Sequence, residues 1–243
     1  MPSAASADAV VAELEAERSD EALASARRRL APTEEAFGVR MGTLFAIAKR
    51  HTGLPLGEVV RLLAQPAYEP RLAAVCILDF KARRKRIDGH GRGTLARTYL
   101  GHHDRITTWD MVDRAAPRVI GLWLVGRDKQ VLRDLAAAPE PLRRRTAMTA
   151  PLGLLDTPDV EVGWELAGQL APDRDPLVHQ PVGIFLKHAG ERDPDRLVAF
   201  LEQHVADMPR PAVRLAVEKL PSEVRTRWVG RQVGRQVGRQ VGR

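Results

Sequence analysis

Apolar residues recur along this chain every three to four positions, and glycine or proline interrupts the pattern about every ten residues. No segment sustains an alternation of apolar and polar residues with β-branched side chains, the pattern of a half-buried strand. Helices are predicted over 7–18 and from Ser19 to the Arg27-Arg28-Arg29 run, then over 41–51, 58–64, 68–85 and 94–100. Further helices follow over 117–125, 129–138, 141–150, 160–170, from Pro176 through Leu186, over 196–204 and over 209–220. The reading is all-α. Leu72, Val75, Cys76, Ile77 and Leu78 mark the 68–85 helix as a core element, and Trp123 reads as core.

Two stretches break the pattern. Asp88-Gly-His-Gly-Arg-Gly93 reads as a flexible loop. It has no Gly-Lys-Ser/Thr ending and no preceding strand, so it is not a phosphate loop. Residues 230–243 repeat Val-Gly-Arg-Gln, and each glycine costs about 1 kcal/mol in a helix against alanine. We read one domain over 1–229 followed by a basic low-complexity tail, expected to be disordered.

Composition narrows the partners. At 243 residues the chain is long enough for an ample core, and its formal charge of +7 favours polyanions. One cysteine excludes an intramolecular disulfide and a cysteine-rich zinc site. His102-His103-Asp104 lacks the spacing of a metal site, so no metal is expected. No stretch approaches the roughly 20 apolar residues of a membrane span, and residues 1–9 do not form a secretion signal. A cytoplasmic protein with no membrane partner and no nucleotide cofactor is expected.

Thr107-Thr-Trp-Asp-Met-Val-Asp113 concentrates the candidate chemistry. Thr107 reads as a helix cap, with Asp110 in the capping-box position. Trp109 and Asp113, four residues apart, then share one helix face, and Pro117 ends or kinks the helix. An aromatic plane beside a carboxylate suits holding a sugar or base while the acid works. On local grounds alone the stronger reading makes Trp109 a core anchor and the two aspartates capping or salt-bridging groups.

Trp109-Asp-Met-Val-Asp113 resembles the signature of the AlkD-like DNA glycosylases, a HEAT-like-repeat family of DNA alkylation repair enzymes. Similar stretches follow the family's order at 68–74, 143–148, 182–188 and 208–219, so the resemblance covers about residues 35–220. It implies antiparallel helices in HEAT-like repeats, stacked into a curved α-solenoid whose concave face fits duplex DNA. It implies a monomeric, cofactor-independent glycosylase that excises N-alkylated cationic bases of the 3-methyladenine and 7-methylguanine type. The N-glycosidic bond is hydrolysed without a pocket that encloses the base. Asp113 matches the catalytic acid and Trp109 one of two tryptophans against the sugar. Arg145 matches the arginine near the lesion. Arg144, Arg71, Lys187, Arg214 and Lys219 are the further DNA-binding candidates. The second tryptophan is replaced by Ile184, and Phe185 points about 100° away from that position on a helix. That departure keeps an alternative open: a non-catalytic HEAT-repeat protein that binds damaged or branched DNA.

Overall fold

The computed structural model describes residues 6–28 and 30–230. Among the described residues every regular element is helical, and the one β-type contact is an isolated bridge between Glu35 and Ala67. The all-α expectation holds. The contacts gather into two compact units, Met1–Trp123 and Leu124–Arg243. The repeat tail expected over 230–243 lies outside the described residues apart from Gly230.

The first unit holds α1 (Ala7–Ala16), α2 (Asp20–Arg27), α3 (Met41–Arg50), α4 (Leu56–Leu63), α5 (Tyr68–Ala82), α6 (Gly89–Gly101) and α7 (Trp109–Ala116). Its centre is α5, with α3, α4, α6 and α7 packed against it. Every residue from Tyr68 to Asp79 is buried, so this helix is enclosed on all sides rather than on one stripe. Three of those buried residues carry charge, which low dielectric tolerates only with partners. Glu69 accepts the backbone N–H groups of Phe37 (2.8 Å), Gly38 (2.8 Å) and Val39 (3.4 Å). Arg71 pairs with Glu34. Asp79 faces three arginines. Gly38 has φ +83°, and an added Cβ there would lie 2.6 Å from the Ser19 carbonyl, so the strap held by Glu69 requires glycine.

Residues 89–93 are helical, not a loop. Asp88 caps α6 by accepting the Gly91 N–H at 2.7 Å, and the glycines form the first turns. Gly93 is buried close to Arg97 and Trp123, where a Cβ would sit 3.1 and 3.4 Å from their side chains. Tertiary packing thus outweighs the local cost of glycine. Trp123, expected in the core, is half-buried.

Pro117 neither ends the helix nor starts a new one. The run continues through a π-helical turn, Pro117–Gly121, into α8 (Leu122–Leu124). Proline cannot supply the N–H that the Asp113 carbonyl would otherwise receive from position 117, and widening the turn accommodates it.

The second unit contains α9 (Gln130–Ala136), α10 (Pro141–Thr149), α11 (Glu161–Leu170), α12 (Pro176–Gly190), α13 (Pro194–His204) and α14 (Arg210–Ala216). Here α10 packs against α9, α11 and α12, and α12 packs against α13 and α14. Asp175 and Asp193 cap their helices as the Asp-Pro pairs predict, bonding Leu177 N at 2.9 Å and Arg196 N at 3.0 Å. Gly183 allows α12 and α14 to approach, since a Cβ would meet the Ala212 carbonyl at 2.6 Å. Residues 222–230 are helical beyond the last predicted helix, and Trp228 is fully buried.

Candidate functional site

The first turn of α7 is fastened from three sides. Asp110 accepts from the Tyr68 hydroxyl, from Thr108 Oγ1 at 2.6 Å and from its neighbour Met111 N at 3.0 Å. Thr107 Oγ1 donates to Glu34 at 2.7 Å, and Glu34 also holds Arg71. The expected capping box is therefore absent. Thr108, not Thr107, occupies the N-cap, and it makes no side-chain cap bond. Its hydroxyl is committed to Asp110, whose carboxylate also ties α7 to α5 through Tyr68.

Asp110 and Arg114 form the flank of α7 that faces α5. Tyr68 meets Asp110, and Asp79, three turns further along α5, meets Arg114 at 3.0 Å and Arg118 at 3.5 Å. Both helices advance in the same sense between these bridges, with α6 between them in the chain. Met111, Val112, Ala115 and Ala116 face the core. Trp109 and Asp113 lie on the remaining face. Trp109 is 40% exposed, which excludes the core-anchor reading for this indole. Asp113 is half-buried one turn later. An exposed aromatic plane and a partly desolvated carboxylate on adjacent turns can grip a flat or sugar-like group and place negative charge next to it.

The cationic candidates divide sharply. Arg71 is buried on Glu34, and Arg145 is 1% exposed. Arg145 Nη1 donates at 2.6 Å to the Leu177 carbonyl of α12. Pro181, four residues on, has no N–H to give that carbonyl, so the guanidinium replaces a missing helical bond. A side chain so enclosed presents no surface to a phosphate. Arg144 bonds Asp173 at 2.7 Å together with the Ala138 and Pro139 carbonyls. Lys187 pairs with Glu218 at 3.4 Å, Lys219 with Glu191 at 3.8 Å, and Arg214 is exposed. Of the six, Arg214 and Lys219 keep open surface, whereas Arg145 braces α12 and Arg71 holds the segment between α2 and α3 through Glu34. Charge type was legible in the sequence, whereas the interior partners come from distant elements.

Ile184 is half-buried on α12, while Phe185 is fully buried. The Phe185 ring meets Trp164 edge-on at 5.8 Å, and a Cβ on Gly163 would fall 2.2 Å from it. Phe185 is a core residue and offers no second aromatic surface.

The chain matches the model of the DNA alkylation repair enzyme family over residues 10–220. It belongs to that family. A search of individually characterised proteins gives no match. The family match spans both compact units of this alkylation repair protein, including Trp109, Asp113 and all six cationic candidates. No helix among the described residues is long and apolar enough to cross a membrane.

Two other features of this family member compete less well as its site. A groove of about 810 Å³ in the second unit is lined by Trp164, Phe200 and His204. Its charges cancel in pairs: Lys129–Asp159 (2.7 Å), Arg133–Glu165 (2.7 Å) and Arg196–Glu161 (2.6 Å). Cys76 is enclosed, and burial pushes its thiol up to about 12, far from a reactive thiolate. Among the described residues no group of three His, Cys, Asp or Glu side chains could hold a metal ion. His103 instead packs edge-on against Tyr99 at 5.6 Å.

Proposed function

We propose that this alkylation repair family member is a DNA glycosylase that excises N-alkylated cationic bases from duplex DNA. The observation that carries the reading is the pairing of exposed Trp109 with half-buried Asp113 on one face of α7. Alkylation at purine N3 or N7 makes the base cationic, so it departs as a neutral leaving group without a general acid. The glycosidic C1′–N bond breaks and its electron pair neutralises the base. Positive charge grows on the deoxyribose, as in other glycosidic cleavages. Asp113 stabilises that charge and orients the water whose oxygen bonds to C1′, the released proton passing to the carboxylate or solvent. Trp109 supplies a plane against the sugar. No base-enclosing pocket is required, because the chemistry is read from the backbone side.

In this reading the helices form HEAT-like repeats, with α5 and α7 as equivalent members of successive helix pairs. The enzyme acts as a monomer in the cytoplasm, with water as its only co-substrate. Arg214 and Lys219 contact phosphates, and Lys187 joins them only on leaving Glu218. Arg145, Arg144 and Arg71 act indirectly, by fixing the helices.

Ile184 favours a second reading, a non-catalytic protein that binds damaged or branched DNA, because the neighbouring Phe185 is committed to the core. One assay separates the two. The protein is incubated with duplex DNA containing 7-methylguanine, and free base is measured. Release above the spontaneous rate is expected; binding without release would select the second reading.

A further inference from the structure

Asp79 is wholly buried and faces more cations than it can neutralise. Arg83 Nη2 lies 2.6 Å from Oδ2, Arg114 Nε 3.0 Å from Oδ2 and Arg118 Nη1 3.5 Å from Oδ1. Arg83 Nε also donates to Oδ1 at 3.1 Å. The approaches to Oδ2 are close but off the line of a hydrogen bond. Three guanidiniums against one carboxylate leave a local charge of +2, from +3 and −1.

The three arginines are not equivalent. Arg114 is sandwiched between the rings of Phe45 and Phe80, at 4.6 and 4.8 Å from their centroids. It is the member of the trio that ties α7 to α5. Arg83 and Arg118 are 39% and 41% exposed, with the acid behind them. Burial, together with repulsion from Arg83 and Arg114, lowers the affinity of Arg118 for its proton against the pull of Asp79. A structural clamp needs one arginine. Two more, held mutually repelling at a surface, are a cost that a bound anion removes.

We infer that Arg83 and Arg118, aligned by the buried Asp79 and steadied by Arg114, form a phosphodiester-binding site of the DNA backbone. The inference rests on the reading of the protein as one that acts on DNA. Arg118 follows Asp113 on the same continuous helical run, past the π turn, so a phosphate bound there is connected to the candidate catalytic turn through one rigid element. Asp79 is a positioning residue: it fixes the guanidiniums and touches no DNA.

The test is binding of an undamaged fluorescent duplex by the full chain, titrated across salt. Arg83→Gln/Arg118→Gln is compared with wild type and with Arg50→Gln/Arg61→Gln, an equal charge loss at exposed ion pairs elsewhere in the first unit. We expect the first pair to weaken binding about tenfold at low salt and to reduce the slope of log K against log salt by about 1 for each phosphate no longer bound. The control pair should change the slope by less than half as much. Folding is checked by circular dichroism. Should the double variant unfold, Arg118→Gln alone, which removes the longest of the three ion pairs, gives the same comparison. An unchanged slope, or an equal change in the control, would overturn the site while leaving the glycosylase reading intact. A wild type that binds no duplex at 50 mM salt, taken as roughly the low end of the range for phosphate contacts, would remove both.

Discussion

Arg145 donates to the Leu177 carbonyl at 2.6 Å, the bond that Pro181 withholds. The relationship joins α10 to a helix that carries an internal proline. It explains how a proline five residues into α12 leaves the helix continuous: the freed acceptor is half-buried and takes its hydrogen bond from a side chain. It also changes what a substitution at Arg145 would mean, since a loss of activity there would report on α12 as much as on DNA.

Arg145→Met in urea unfolding should therefore destabilise the protein by about 1–2 kcal/mol, the lower part of the usual cost of leaving an interior polar group unsatisfied, since Leu177 is half-buried. In a Pro181→Ala background the carbonyl regains a backbone N–H. There the same change should cost at least about 1 kcal/mol less. Additive effects in this double-mutant cycle would show that the two residues do not share the carbonyl.

Asp113→Asn keeps the shape of the side chain and removes its charge. Release of 7-methylguanine should fall by about 10²-fold or more, equivalent to roughly 2.7 kcal/mol of transition-state stabilisation. Affinity for the duplex should stay level or rise, because a negative charge near phosphates has gone. Comparable release by variant and wild type, with folding verified, would remove the proposed role of the carboxylate.

Asp110 is expected to behave differently from Asp113. Asp110→Asn loses charge-assisted bonds to Tyr68 and Thr108, so its main effect is on the seam between α5 and α7. A destabilisation of about 1–2 kcal/mol is expected, largely duplicated by Tyr68→Phe and not added to it. Unfolding curves of the two single variants and the double variant decide this.

Positions 184 and 185 should separate surface from core. Phe185→Ala opens a cavity beside Trp164 and should cost about 3–5 kcal/mol. Ile184→Trp, at a half-buried position, should fold with a loss below about 1.5 kcal/mol. If the glycosylase reading holds, it should also increase base release. A folded Ile184→Trp variant with unaltered release would show that a second aromatic at this position contributes nothing.

Asp159 provides a pH signature. The Gly126 N–H, the Lys129 ammonium and its charge hold this carboxyl below the usual carboxylate range. A depressed folded-state pKa stabilises the protein above the unfolded value, near pH 4, and that contribution is lost as pH falls through the folded value. Asp159→Asn should lower the thermal midpoint by roughly 1–3 °C at pH 7, and the gap should close as pH falls below about 4. A gap that persists undiminished at pH 3 would rule out this linkage.

The sequence by itself determined most of the helices, because their signals are local, although it missed the one over 222–230. Apolar spacing, Asp-Pro starts and the glycine-proline breaks act within a few residues, and the observed α12, α13 and α14 fall where those signals place them. The shared face of Trp109 and Asp113 was legible for the same reason: it needs only helical periodicity. Tertiary structure decided everything that depends on a distant partner. The hydroxyl of Thr107 went to Glu34 rather than to a cap, and the glycines at 89–93 became helix because Asp88, Arg97 and Trp123 close around them. Helix formation past Pro117 relied on a wider turn. The arginines show the limit most clearly. A sequence displays charge, but whether Arg145 braces a carbonyl or Arg118 stands ready at a surface is fixed by which backbone and which carboxylate the fold brings within about 3 Å, where a hydrogen bond forms or fails.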